Sequence, residues 1–267
     1  MYTVYEAISP VVDKMEPKER GIIVAYLLYG KDLKEKSFPV NRLIRLGSEF
    51  NTSQIAELIN DAFTSGFGIL DIITSRDDNY GKQLDICINE VLCKALVKSK
   101  PRFRYSFQEW NGIIEREKWI VDAFMERFWD GLKEKEKLEL LNGIEDELRK
   151  AGINYEILVK RIMQGQATFT LLRTALGFQF HIFLAQISNF IARSIFGRGL
   201  SLATNAALQR IAATILGGPV GWTIFFLTII ATVTNFINPK EWDKFIPVVF
   251  LIGLYRTYLI ELDEKSE

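Results

Sequence analysis

The stretch "RIAATILGGPVGWTIFFLTIIATVTNFINPK" (210–240) decides how this chain is read. Between Arg210 and Lys240 lie 29 consecutive positions without a charge. A single vertical membrane helix needs about 20 apolar residues, so the length alone would suffice. The sequence "GGPVG" (217–221) argues against one span. Glycine is unfavourable inside a helix, and proline removes a backbone donor and clashes with the preceding turn. The stretch therefore predicts a helical hairpin that turns at Gly217, Gly218, Pro219 and Gly221. Its first arm is "LSLATNAALQRIAATIL" (200–216). Its second is "WTIFFLTIIATVTNFI" (222–237), stopped by Asn238 and Pro239.

The second arm is marginal for a bilayer. Its nine strongly apolar residues contribute about −3 to −5 kcal/mol on the insertion scale, and its threonines and Asn235 subtract from that. Such an arm suits either a packed core or a lipid-inserted state. Trp222 at one end and Trp242 with Lys240 at the other sit where interfacial anchors sit. Phe225 and Phe226 are expected to be hidden from water in any soluble form, against the apolar stripe of 176–191.

Working outward, charge is distributed unevenly. The chain has 33 basic and 33 acidic residues, a formal net charge of zero, which argues against a bulk electrostatic grip on nucleic acid. Residues 1–156 carry a net charge of −4 (23 basic, 27 acidic). Residues 157–240 carry seven basic residues and no Asp or Glu. An apolar, purely cationic segment of this length points to a membrane or an acidic partner surface. Arg193, Arg198, Arg210 and Lys240 are its expected contacts with anionic lipid.

Everything else reads as helix. Pro17 fits the first turn of a helix through "KERGIIVAYLLY", and Gly30 is a natural stop. Asn51 to Ser53 supply caps for a helix that Gly66 would end. "GILDIIT" (68–74) has strand-like composition without a partner, and "RDDNYG" (76–81) has turn composition. Leu84, Ile88, Val91, Leu92 and Ala95 form an apolar stripe. Ser106 is positioned to cap a long helix bearing Trp110, Ile113, Ile114, Val121, Phe124, Phe128 and Leu132. From Asn154 a helical pattern continues for over 40 residues, with Gly165 and Gly177 as kink points. "FIPVVFLIGLYRTYLIEL" (245–262) forms a last apolar helix, short for a span. The fold expected is all-α, with a charged helical half (1–152) and an apolar, cationic region (153–267) that contains the Gly-Gly-Pro hairpin.

Chemistry is scarce. The two cysteines, Cys87 and Cys93, suit buried thiols in a reducing compartment and make a poor metal site. The carboxylate cluster Glu145, Asp146, Glu147 reads as a solvated helix face, because adjacent helix positions do not face each other. The lone His181 has no partner near it in sequence and reads as a packed side chain. Nucleophile-elbow, phosphate-loop, dinucleotide and zinc-helix patterns do not occur. No catalytic residue, cofactor or metal is implied. The N-terminus lacks a basic region and an unbroken apolar run, so no secretory signal is expected.

The turn "GGPVG" with "WDKFIPVVFLIGLYR" resembles the YaaW-like family of uncharacterised bacterial proteins, which is distantly grouped with ubiquinol–cytochrome c chaperones. The matching positions are Gly218, Pro219, Val220 and Gly221, then Ile246, Pro247 and Val248, then Arg256. Upstream, "FMERFWDGLKEKEKLELLNGI" (124–144) resembles the family's helix pair at Trp129 and Leu132, and 198–207 resembles its small-residue segment. The family tends to have a Tyr-Arg pair before the Ile-Pro, whereas this chain has Trp242 and Asp243. The resemblance spans roughly 80–260. It brings no established activity and implies protein binding only through the chaperone grouping.

Two functional expectations follow. In one, the chain is a non-enzymatic membrane-active protein whose hairpin lies on or enters an anionic bilayer, or forms a pore. In the other, it is a soluble assembly or chaperone-like factor that buries the same hairpin as core and binds an unidentified protein. Both place it in the cytoplasm, the first at or in the inner membrane. Oligomers are compatible with both, and nucleic acid is not an expected partner.

Overall fold

A computed structural model describes residues 1–30, 40–65, 78–96, 98–177, 179–180, 183, 187 and 244–264. Every named element among them is helical; the one β feature is an isolated bridge between Thr3 and Asn79. The all-α expectation is met. The chain divides into two compact units. One holds Met1–Ile120 with Phe226–Asp263, and the other holds Val121–Phe225 with the last four residues. The charge boundary near 152 marks a change of composition, whereas packing groups the chain this other way.

The first unit starts with α1 (Val4–Val12), whose capping box is closed by Thr3 and Glu6. That arrangement satisfies backbone donors that a helix start otherwise leaves unpaired. α2 (Pro17–Tyr29) begins on its proline and ends at Gly30, whose φ of 51° is a conformation glycine adopts cheaply. α3 (Val40–Glu49) crosses α2 at very short range. A methyl group added to Gly21 would lie 1.9 Å from the Leu43 carbonyl oxygen, and one added to Gly47 would lie 1.7 Å from that of Pro17. The missing side chains are what let the two backbones approach.

α4 (Thr52–Ser65) buries Ile55, Ala56, Ile59, Ala62 and Phe63. α5 (Tyr80–Ile86) is capped by Asn79, whose side chain accepts from the Lys82 N–H. Of the 76–81 segment whose composition suggested a turn, the described residues 78–81 lead into a helix. α5 continues through a π-helical stretch (Cys87–Leu92) into Cys93–Ala95. The predicted stripe Leu84, Ile88, Val91, Leu92 and Ala95 is buried throughout. α6 (Trp110–Gly131) starts three residues later than a Ser106 cap would place it. Ser106 instead closes a local turn, its hydroxyl accepting from the Gln108 N–H at 3.3 Å and its carbonyl from the Glu109 N–H at 3.1 Å. Short polar side chains offer the backbone this alternative to helix.

In the second unit α6 is followed by α7 (Glu134–Gly143), α8 (Glu145–Lys150), α9 (Tyr155–Met163) and α10 (Phe169–Leu176). The expected helix of over 40 residues is broken. Gly165 and Gly177 have φ of 67° and 54°, left-handed values that end a helix where gentler geometry would only kink it. Asn154 and Thr168 cap the pieces. Trp129 centres this core: its indole N–H donates to the Ala167 carbonyl at 2.7 Å, and its ring meets Phe183 edge-on at 5.3 Å. Phe169 and Phe180 pack edge-on at 4.7 Å.

The last helix, α11 (Phe245–Glu264), belongs to the first unit. Residues 245–256 are buried without interruption. A helix apolar on all sides is either core or a membrane span. Here it is core, with Phe245 against Phe63 at 5.2 Å. Among the described residues no helix is long and apolar enough to cross a membrane.

Candidate functional site

The residues chosen from sequence for the hairpin turn and for membrane or partner contact lie outside the described residues. These are Gly217, Gly218, Pro219, Gly221, Trp222, Phe225, Phe226, Trp242, Arg193, Arg198, Arg210 and Lys240. His181 and the strand-like 68–74 also lie outside them. Of the wider cationic segment, Arg173 is described: it is exposed, with its guanidinium 5.2 Å from the centre of the Phe180 ring.

What the described residues bring together is a buried polar cluster in the first unit, built on α6 and α11. Glu117 occupies the apolar stripe of α6, one turn after Ile113 and one turn before Val121. It is buried, and so is Arg256 on α11. The Arg256 Nε donates to the Glu117 carboxylate at 2.6 Å and Nη2 donates to its other oxygen at 3.2 Å. This forked pairing is the strongest carboxylate geometry arginine offers. Nη2 also donates to the Ala7 carbonyl at 2.7 Å, and the guanidinium lies 4.8 Å from the Trp110 ring centre. Next along α11, the Tyr255 hydroxyl shares its one proton between the Glu19 carboxylate at 3.1 Å and the Lys14 carbonyl at 3.3 Å. Two consecutive residues of the last helix thus hold α1, the start of α2, and α6.

A second buried arginine precedes Glu117. Arg116 donates from Nε to Asp85 at 2.9 Å, and from Nη1 to the carbonyls of Tyr105 (3.1 Å) and Gly112 (3.0 Å). Its guanidinium lies 4.2 Å from the Phe103 ring centre. Glu115 accepts from the backbone N–H groups of Arg104 and Tyr105 at 3.0 to 3.1 Å. Three successive side chains of α6 therefore fix the 101–107 segment and the last helix.

The electrostatics suit a fixed framework. Burial works against the Arg256 charge, but Glu117 more than offsets it and raises its pKa above the usual arginine value. Burial, then the Glu117 charge, push the Tyr80 phenol well above its usual range, with Arg256 offsetting part. Groups held this firmly in one protonation state do not exchange protons readily near neutral pH. Cys87 is buried and its thiol is likewise pushed up by burial. Among the described residues no group of three or more His, Cys, Asp or Glu is placed to hold a metal ion.

Sequence reading reached Arg256 through the family resemblance but missed Glu117, Asp85, Arg116, Glu19 and Tyr255. A signal for Glu117 existed, namely a carboxylate at a stripe position where an apolar residue is expected. Nothing in the sequence linked it to Arg256, 139 positions away.

The chain is similar to a UPF0174 protein of Helicobacter pylori (strain J99). The two are 31% identical over 183 residues, 68% of this chain. The match spans 66% of the relative's own length, just under two thirds. That likeness supports kinship with an uncharacterised bacterial family. No protein-family model matches the chain, and no solved structure does.

Proposed function

We propose that this is a non-enzymatic, membrane-associated helical protein of the bacterial cytoplasm, in which the segment 198–240 lies on or enters an anionic bilayer. The observation that carries the reading is the charge pattern: seven basic residues and no acidic one across 157–240, around a 29-residue uncharged stretch. Second-unit helices add to it. Ile157, Met163 and Leu171 are exposed large apolar side chains, and Lys160 and Arg173 are exposed beside them. Apolar side chains that reach the headgroup boundary with basic neighbours are what an interfacial helix uses.

The described residues that follow this segment open the core helix α11, which Arg256 and Tyr255 fasten. In this reading the membrane-active part is 198–240, and α11 serves as its anchor. The YaaW-like resemblance is consistent with it but supplies no activity.

One feature favours a second reading, a soluble assembly factor. An open groove on α9, over Tyr155, Val159, Lys160 and Met163, offers apolar surface to a partner protein. Flotation of purified chain with vesicles separates the two. Recovery in the floating fraction with anionic but not neutral vesicles, persisting through a high-salt wash, supports membrane association. Chain that stays at the bottom of the gradient with both vesicle types refutes it.

A further inference from the structure

The first unit, whose basic and acidic residues nearly balance, presents one cationic edge. From Val91 to Gln108 the sequence holds Lys94, Lys98, Lys100, Arg102 and Arg104 and no Asp or Glu. Burial alternates along its end. Lys100, Arg102 and Arg104 are exposed, while Pro101, Phe103 and Tyr105 between them are partly buried. The segment is non-helical, so this alternation needs tertiary support, and α6 provides it. Arg116 holds Phe103 by its ring and Tyr105 by its carbonyl. Glu115 holds the N–H groups of Arg104 and Tyr105. Gly112 admits the Ser106 carbonyl, which would lie 1.7 Å from an added methyl group.

The nearby carboxylates are already engaged. Glu90 is shared by Lys94 at 2.8 Å and Lys100 at 3.2 Å. Glu115 is taken up by backbone donors, and Asp85 by Arg116 at 2.9 Å. Glu109 accepts from the Ser106 N–H at 3.2 Å. Five cations against Glu90, Glu109 and Glu115 leave the edge with a positive surplus, on a backbone fixed in advance.

We propose that this edge is an electrostatic docking site for the anionic headgroups of a lipid bilayer. Lipid is favoured over single-stranded nucleic acid because the aromatic residues of the segment are partly buried, with Phe103 under Arg116, and do not form an outward stacking platform. The proposal rests on the membrane reading above and deepens it by naming a first contact outside the 198–240 segment. Each cation near an anionic leaflet changes partitioning on the order of fivefold, and the effect decays within a Debye length.

The test uses the full chain and vesicles with and without a third of anionic lipid, at about 50 mM and about 1 M salt, regimes in which the edge is weakly and strongly screened. The triple variant Lys100→Gln, Arg102→Gln, Arg104→Gln keeps the backbone bonds to Glu115. A control triple, Lys133→Gln, Lys135→Gln, Lys150→Gln, removes the same charge from exposed positions elsewhere. The edge variant should lose on the order of a hundredfold in low-salt partitioning to anionic vesicles, with unchanged circular dichroism and melting. The control should lose only a few-fold. Equal losses in the two variants, or none in either, overturn the proposal. So does a single-stranded 20-mer oligonucleotide that binds the wild type more tightly than the vesicles at the same salt. The fraction that resists 1 M salt reports on 198–240 instead. Salt-labile binding that the edge variant abolishes supports the edge and refutes insertion. Salt-resistant binding that ignores the edge variant does the reverse.

Discussion

Breaking the Glu117–Arg256 pair tests the framework most sharply. The two side chains are 2% and 6% exposed, so neither charge can turn to water when its partner is removed. Glu117→Ala strands the Arg256 guanidinium with the Ala7 carbonyl and the Trp110 ring as its remaining described contacts. Removing one member of a buried pair costs about 3–5 kcal/mol. Arg256→Ala strands the carboxylate and also loses the Ala7 bond and the ring contact, which places it toward the upper end of that range. The double variant Glu117→Leu, Arg256→Met removes both charges and keeps apolar volume. It should recover most of the loss, because the favourable pairing and the desolvation cost disappear together. The three variants and wild type form a double-mutant cycle by urea denaturation, with an expected coupling of about 3 kcal/mol or more. In thermal melts each single variant should fall by about 6–20 °C, scaled for a unit of this size. Single losses below about 1 kcal/mol that simply add would refute the claim that this pair fastens the last helix.

The other expectations follow from specific contacts. Gly21→Ala and Gly47→Ala each place a methyl group less than 2 Å from a carbonyl oxygen, so each should destabilise by about 1–3 kcal/mol or more, read as a lowered urea midpoint; a neutral result would show that α2 and α3 do not cross this closely. Trp129→Phe leaves the Ala167 carbonyl without its indole donor and should cost about 1–3 kcal/mol, while Trp129→Ala should cost about 3–5 kcal/mol. Cys87 and Cys93 are buried and burial raises both thiols, so a thiol reagent at pH 8 should modify neither in the native chain and both after denaturation; rapid native modification of Cys87 would contradict its place in the core. Burial also raises the Tyr26 and Tyr80 phenols, which makes their neutral forms the folded ones. Stability from these two groups is fully present below the unfolded tyrosine range near pH 10 and is lost as pH rises through it, so alkaline unfolding should accompany their ionisation in an absorbance titration.

Much of the helical framework was legible because it is written in local chemistry. Pro17, Asn154 and Gly30 carry their meaning within one turn of chain, and the Leu84 to Ala95 stripe carries its own period. The rest was not legible, for separate reasons. Gly165 and Gly177 read equally well as kinks or ends until their φ angles are known. The last helix was expected as a helix short for a span, but an apolar run like 245–255 looks the same from sequence whether protein or lipid surrounds it. The Glu117–Arg256 and Arg116–Asp85 pairs join positions far apart in the chain, and no periodicity links them. The cationic edge at 98–104 was masked for another reason. It sits within a half of net negative charge, and an average over 156 residues hides a surplus spread over about ten.

Hydrogen exchange read by mass spectrometry, with and without anionic vesicles, tests the central claim most directly. Peptides from 198–240 should gain protection on adding vesicles, while peptides from 245–256 should be strongly protected with or without lipid, as a helix buried in the first unit must be. Unchanged exchange across 198–240 in the presence of anionic vesicles would contradict the membrane reading, and fast exchange across 245–256 without lipid would contradict the framework beneath it.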